Sequence, residues 1–323
     1  MNLLEVKNLS VQYGSGQGGV LAVDGVDLSV GVGEFVGLAG ESGCGKTTLA
    51  MAIPNLLPKY ASITTGTIEF EGQDLSNKSE SELNEVRWRD ISVIFQGALN
   101  ALNPVATIGN QIAEPILIHE PGTSHDAAIT RAKELLEAVG ISASRSSSYS
   151  HEFSGGMRQR VMIAMALACR PKLVIADEPI TALDVMTQAQ ILELLRSLSE
   201  TFNLSMLLIS HDLSVLAETC DRVQIMYAGK VAEVGTADDV FGEQNSAHPY
   251  TQRLLKSYPN IHQERKFIDG IPGYPPDLSK SHAGCRFAER CTVSVEKCFT
   301  DEPELAVISE LHRSACHLVG GSK

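Results

Sequence analysis

The sequence is short of four things, and each shortage removes a class of function. No apolar run approaches the ~20 residues that a membrane-spanning helix needs; the longest, Val161 to Cys169, ends far below that length. Basic residues are few: 26 Lys and Arg stand against 39 Asp and Glu, for a net charge of −13. Nucleic-acid phosphates are bound by basic faces, so nucleic acid is excluded as the main partner and only a local patch could serve one. A leader is not expected either. The opening Met1-Asn2-Leu3-Leu4-Glu5-Val6-Lys7 does not have the basic-then-apolar form of a signal peptide, so a cytosolic protein is expected, reaching a membrane only through partners. Cysteine, finally, is scarce over most of the chain. Cys44, Cys169 and Cys220 are scattered, whereas Cys285, Cys291, Cys298 and Cys316 crowd the end. In a reducing compartment such crowding points to metal or cluster ligation sooner than to disulfides.

What is present is ordinary globular composition and one dominant motif. With 323 residues, 43% hydrophobic and 20% charged, the chain can bury a full core and fold as more than one subdomain. Gly40-Glu41-Ser42-Gly43-Cys44-Gly45-Lys46-Thr47-Thr48 fits G-x-x-x-x-G-K-[ST], a phosphate-cradling loop. Its glycines let successive N–H groups turn inward toward phosphate oxygens. A helix opening near Lys46 adds its positive end, the Lys46 amine reaches the outer phosphates, and Thr47 offers a hydroxyl to Mg²⁺. The flanks agree: Phe35 to Ala39 is a short apolar strand, and Thr47 to Ile53 reads as a helix that Pro54 stops early. Cys44, inside the loop, is read as a small filler, or as a thiol whose modification blocks the loop.

Residues 2–13 and 20–37 alternate with period two, as half-buried antiparallel strands do, around a Gly-rich turn at 14–19. Tyr13 ends the first strand, where its ring either packs or stacks on a nucleotide base. Four continuous apolar runs then share a feature: each ends on a polar group. Phe35 to Ala39 enters the Gly-rich loop, Ile91 to Phe95 ends on Gln96, Leu173 to Ala176 on Asp177-Glu178, and Met206 to Ser210 on His211. Such runs suit strands buried on both faces of an α/β sheet, whose ligand crevice lies outside the carboxyl ends of its strands. Residues 104–170 read as mostly helical, and Ser154-Gly155-Gly156 caps a helix and offers a second anion site.

Phe153-Ser154-Gly155-Gly156-Met157-Arg158-Gln159-Arg160, about 20 residues before Asp177-Glu178, resembles the signature motif of ABC ATPases. Thr181-Ala182-Leu183-Asp184 is similar to their D-loop, Gln96 to the Q-loop glutamine and His211 to the switch histidine. The first position is Phe and Met157 stands where Gln is usual, a variant that resembles the ATP-binding subunits of dipeptide and oligopeptide permeases. His248-Pro249-Tyr250-Thr251-Gln252, Ile271 to Pro276 and Gly284-Cys285-Arg286-Phe287 resemble the C-terminal extension of that subfamily, with His282-Ala283 where proline is often seen.

The resemblance implies an α/β fold: a P-loop NTPase (RecA-like) core with an antiparallel β subdomain and an ABC α-helical subdomain, plus a small cysteine-bearing extension. It divides the chain into an ATPase domain at 1–244, with its helical subdomain at about 100–170, and an extension at 245–323. It implies that ATP binds to Tyr13, residues 40–48, Gln96 and Asp177, and to Ser154, Gly155 and Gly156 of a second subunit. Thr47, Gln96 and Asp177 hold Mg²⁺; Glu178 polarises the attacking water, and Lys46, Gln96 and His211 serve catalysis. One set of motifs per chain implies a partner, expected to be a related ATPase subunit, with two transmembrane permeases, an extracytoplasmic solute-binding protein acting indirectly, and a place on the cytoplasmic face of the membrane. Similar tails carry a [4Fe–4S] cluster, so Cys285, Cys291, Cys298 and Cys316 are expected to ligate one. Zinc is the lesser alternative, kept open by His282, His312 and His317, since tetrahedral thiolate sites suit either. Ligation would supply folding energy to a tail poor in core formers, and nucleotide binding by residues 1–240 is expected to be independent of it. The expected function is the ATP-hydrolysing subunit of a peptide importer. A soluble ABC ATPase of DNA repair or translation is the alternative, disfavoured by acidity and by the lack of a long coiled-coil insertion or a second ATPase unit. An iron–sulfur regulator with a vestigial ATPase conflicts with the intact Lys46, Asp177, Glu178 and His211.

Overall fold

The computed structural model describes residues 2–14, 18–97, 101–242, 246–257 and 270–319. Part of one expectation, the turn at 14–19, lies outside the described residues. The chain forms two compact units: residues 1–3, 30–34 and 77–209 make one, and 4–29, 35–76 and 210–323 the other.

In chain order the first elements are strands β1 (Asn2–Tyr13), β2 (Val20–Gly31) and β3 (Phe35–Ala39), helix α1 (Lys46–Ala52), and strands β4 (Ala61–Phe70) and β5 (Gln73–Asp74). Strands β2, β1, β4 and β5 line up in that order, and β1 pairs β4 antiparallel. Burial alternates along β2 from Gly25 to Gly31 as the period-two pattern predicts, whereas β1 buries Leu3-Leu4 and Leu9-Ser10-Val11 in succession, with its pairing register shifting between Lys7 and Val11. The run at 20–37, expected as one strand, is broken by the turn that precedes Phe35, and β3 beyond it is wholly buried. Helix α1 ends at Ala52, just before Pro54, which cannot donate an N–H to continue it.

The middle of the chain supplies α2 (Glu80–Val86), β6 (Ile91–Ile94), α3 (Ile108–His119), α4 (His125–Ala138), α5 (Gly155–Ala166), β7 (Leu173–Asp177), α6 (Val185–Phe202) and β8 (Ser205–Ile209). Strands β6, β7 and β8 run parallel in that spatial order, with Ile94 beside Ala176 and Asp177 beside Ile209. Every residue of β7 and β8 is buried, as continuous apolar runs require. Ile163 of α5 and Leu195 and Leu198 of α6 face Ile94, Val174 and Met206 of the three strands across one small apolar gap. Ser124 caps α4 by accepting the Ala127 N–H at 3.2 Å, and Gly140 follows its end.

The last stretch gives α7 (Leu213–Thr219), β9 (Arg222–Tyr227), β10 (Lys230–Thr236), α8 (Ala237–Phe241), α9 (Pro249–Lys256), α10 (Lys297–Thr300), β11 (Ala306–Val307) and β12 (Arg313–Ser314). Strand β9 runs parallel to β3, and β10 folds back antiparallel on β9. The two-residue β12 pairs β10 through Glu233 and Val234, and β11 pairs β12. The C-terminal extension is therefore stitched onto the edge of the strands that carry the Gly-rich loop, within the same compact unit. Among the described residues no helix is long and apolar enough to cross a membrane.

Candidate functional site

The Gly-rich loop leaves β3 at Gly40 and enters α1 at Lys46, and its backbone admits only glycine at two points. Gly40 has φ 146°, and a Cβ there would lie 2.1 Å from the Met226 carbonyl oxygen. Gly45 has φ 103°, and its Cβ would lie 2.2 Å from the Ala22 carbonyl oxygen. Both contacts are with backbone, which cannot retreat, so the curl of the loop is enforced by its neighbours. Ser42, Gly43 and Thr47 face solvent, whereas Lys46 is buried and its Nζ donates to the carbonyls of Gly40 at 2.7 Å and Glu41 at 3.0 Å. A buried ammonium resting on two loop carbonyls, under a run of exposed backbone, is a fitting cradle for a polyphosphate. The Cys44 thiol is buried beside Lys46; burial raises its pKa, and the ammonium opposes part of that rise. It is thus a packing residue held as a thiol. Tyr13 reaches the same helix: its hydroxyl and the Thr48 Oγ1 are 3.0 Å apart, and its ring lies 5.8 Å from that of Tyr60.

In the other unit the strand ends gather a second set. Gln96 follows β6 and Glu178 follows β7, and the Glu178 carboxylate accepts the Gln96 amide at 2.9 Å and the Thr181 hydroxyl at 3.0 Å through one oxygen, Oε2. Its own N–H donates to the Ile209 carbonyl at 3.0 Å. Glu178 adopts φ 47°, a left-handed conformation that costs a non-glycine residue on the order of 1–3 kcal/mol and that gathers at functional sites. Asp177 is buried at the end of β7. Asp184 caps α6, accepting the Thr187 N–H at 3.0 Å and its hydroxyl at 2.7 Å, bonds that hold its carboxyl below the usual range. Ser154 caps α5 through the Met157 N–H at 3.3 Å, as expected. Gly156 has a packing reason that the sequence did not reveal: a Cβ there would lie 2.6 Å from the Thr187 methyl.

His211 is exposed in the turn after β8. Asp212, the next residue, caps α7, accepting the Ser214 N–H at 2.9 Å.

In the extension, the four thiols share one electrostatic neighbourhood: Cys298, Cys316 and Cys291 act on Cys285, and Cys291 and Cys298 act on Cys316. Burial pushes the Cys285 thiol up to about 11 and raises those of Cys291 and Cys316, and each is hydrogen-bonded by backbone two residues on, at Phe287, Val293 and Leu318. Among the described residues no three His, Cys, Asp or Glu side chains are gathered closely enough to hold a single metal ion. The histidines do not complete a zinc set. His282 and His317 donate from Nε2 to the carbonyls of Asp277 and Asp301, and His312 is buried against Glu233, Nε2 to Oε1 2.7 Å.

The extension also reaches the Gly-rich loop. Arg290, directly before Cys291, holds the Glu41 carboxylate of the Gly-rich loop with two bonds, Nη1 to Oε2 at 2.6 Å and Nη2 to Oε1 at 2.9 Å. Tyr250 on α9 accepts the Glu41 N–H at 2.8 Å. Sequence reasoning quoted Tyr250 within a motif and passed over Arg290, because their partner lies over 200 residues away and no periodicity links them.

A model of the ABC transporter family matches residues 23–181, and one of the oligopeptide/dipeptide transporter C-terminal region matches 232–298. The chain is 46% identical to the oligopeptide transport ATP-binding protein AppD of Bacillus subtilis, over 94% of this chain and 92% of that protein. It is 43% identical to the dipeptide transport ATP-binding protein DppD of Escherichia coli, over 98% and 97%. Among solved structures, the ATP-binding cassette MJ0796, a dimer in a post-hydrolysis state with ADP and Pi, is similar at TM-score 0.65 and 29% identity, over 72% of this chain and 98% of that one.

Proposed function

The chain belongs to the ABC transporter ATPases, in the branch of oligopeptide and dipeptide transport ATP-binding subunits, and from that premise we propose that it powers peptide import. Its activity is ATP hydrolysis, and it acts with a second ATPase and permease subunits. The observation that carries the peptide reading is similarity at both ends of the chain, through the cassette and the extension alike. That reach disfavours a soluble ATPase of repair or translation. We place the subunit at the cytoplasmic face, beside a related but different ATPase subunit and two permeases, with a solute-binding protein outside.

In this reading residues 40–48 take the phosphates of ATP, Lys46 turning its amine from loop carbonyls to the outer phosphates, while Tyr13 packs on the base. Thr47, Gln96 and Asp177 are oxygen donors of the kind Mg²⁺ prefers, and the ion when bound neutralises phosphate charge. Glu178, oriented by Gln96 and Thr181, accepts a proton from the attacking water, and His211 holds the γ-phosphate. Ser154, Gly155 and Gly156 close on the nucleotide of the partner subunit. The four extension thiols ligate a [4Fe–4S] cluster, which staples a segment with little core of its own. Cys291→Ser is expected to lower the iron content of the anaerobically purified chain, and full retention would reject that ligand.

Phosphoryl transfer depends mostly on positioning and charge, and losing one such contact costs on the order of a hundred- to a thousandfold in rate. Glu178→Gln is expected to lower ATP hydrolysis by that factor with nucleotide binding retained. Equal rates for the two proteins would contradict the assignment and favour a vestigial ATPase.

A further inference from the structure

We propose that Arg290 and Tyr250, both from the extension, are positioning residues for nucleotide binding, holding Glu41 so that the Gly-rich loop and its lysine are set before ATP arrives. The inference rests on nucleotide binding at residues 40–48 and is independent of the solute carried. Glu41 is the second residue of the loop, and three of its groups are held. Its N–H goes to the Tyr250 hydroxyl, its carboxylate to Arg290, and its carbonyl to the Lys46 ammonium. Pinning the first two fixes the third, and with it the place from which Lys46 must reach the phosphates.

The clamp is itself rigid. Arg290 has only 5% of its side chain exposed. Beyond the two bonds to Glu41, its Nη1 donates to the Tyr227 hydroxyl at 3.0 Å and its Nε to the Pro272 carbonyl at 2.8 Å. Tyr250 is fully buried, its ring 4.6 Å from that of Tyr227 and 5.4 Å from that of Phe287. A second arginine braces the loop from its other side. Arg286 bonds Asp24 and the Ala228 carbonyl, and the next residue, Gly229, donates to the Cys44 carbonyl at 2.9 Å.

Two physical effects point the same way. A loop already ordered loses less freedom on binding, so affinity rises with pre-organisation. A carboxylate in a phosphate-binding loop repels its ligand, and a bidentate guanidinium cancels that charge where a point-charged lysine would hold it less firmly. Removing the guanidinium therefore both loosens the loop and exposes the Glu41 charge.

The test is titration of the full chain with MgATP by calorimetry, with melting temperature recorded for each variant. Arg290→Met is expected to weaken binding about tenfold, the loss of one buried charge-assisted contact. Adding Glu41→Gln to it should recover part of the loss, because the stranded carboxylate is then gone while the loop stays unpinned. General damage to the fold would not be repaired in that way. Affinity within about twofold of wild type for Arg290→Met, or a loss that Glu41→Gln leaves unrepaired, would overturn the proposal. Should Arg290→Met fail to fold, Tyr250→Phe removes only the acceptor of the Glu41 N–H. It is expected to weaken binding about threefold, and unchanged affinity would overturn the proposal equally.

Discussion

Gly156 shows how a residue can sit in a motif for a reason other than the motif's ligand. Its missing side chain makes room for the Thr187 methyl on α6, 2.6 Å from where a Cβ would stand. Gly156→Ala should therefore destabilise the protein by about 1–3 kcal/mol, as overpacking of a close contact does. Thr187→Ser removes that methyl while keeping the hydroxyl bond to Asp184, and should restore most of the loss. Urea unfolding of the two variants checks this, and a Gly156→Ala protein as stable as wild type would refute it. Residues whose chemistry is local were legible in the sequence: Gly40, Gly45 and Lys46 lie within seven positions, and the structure gives each the environment its type implied. Thr181 on Glu178 was quoted in a motif but not seen as a partner. Arg290 was missed altogether, because its meaning depends on Glu41, distant in sequence.

Elements followed the same rule. The buried strands β7 and β8 were legible as apolar runs ending on polar groups, residues 104–170 as mostly helical, and Ser154 as the cap of α5. The turn between β2 and β3 was not, since period-two alternation carries through it without interruption. Strands β11 and β12, two residues each, are too short for any period and exist only because β10 offers an edge. That edge gives the extension its anchor. Glu233 of β10, fully buried, accepts the N–H groups of Ala247 at 2.6 Å and His248 at 3.0 Å and meets His312 as well. His248 in turn accepts the Tyr250 N–H at 3.0 Å through Nδ1, and its burial lowers its pKa to about 4, so the ring stays neutral and able to cap α9. The tail is thus continuous with the loop that it meets through Arg290, the neighbour of Cys291.

At the scale of the whole molecule, the chain is acidic, and no helix among its described residues is long and apolar enough to cross a membrane. Its relatives are ATP-binding subunits of peptide transporters, and MJ0796, the similar cassette, is dimeric. The family to which the chain belongs supports a partnership with a second ATPase and with permease subunits. The most direct measurement is co-purification: the chain is tagged in its own cell, membranes are solubilised gently, and the bound proteins are identified. The account predicts recovery of a second, related ATPase together with two multi-span membrane proteins. Recovery of ribosomes or DNA-bound proteins, with nothing membrane-embedded, would contradict it.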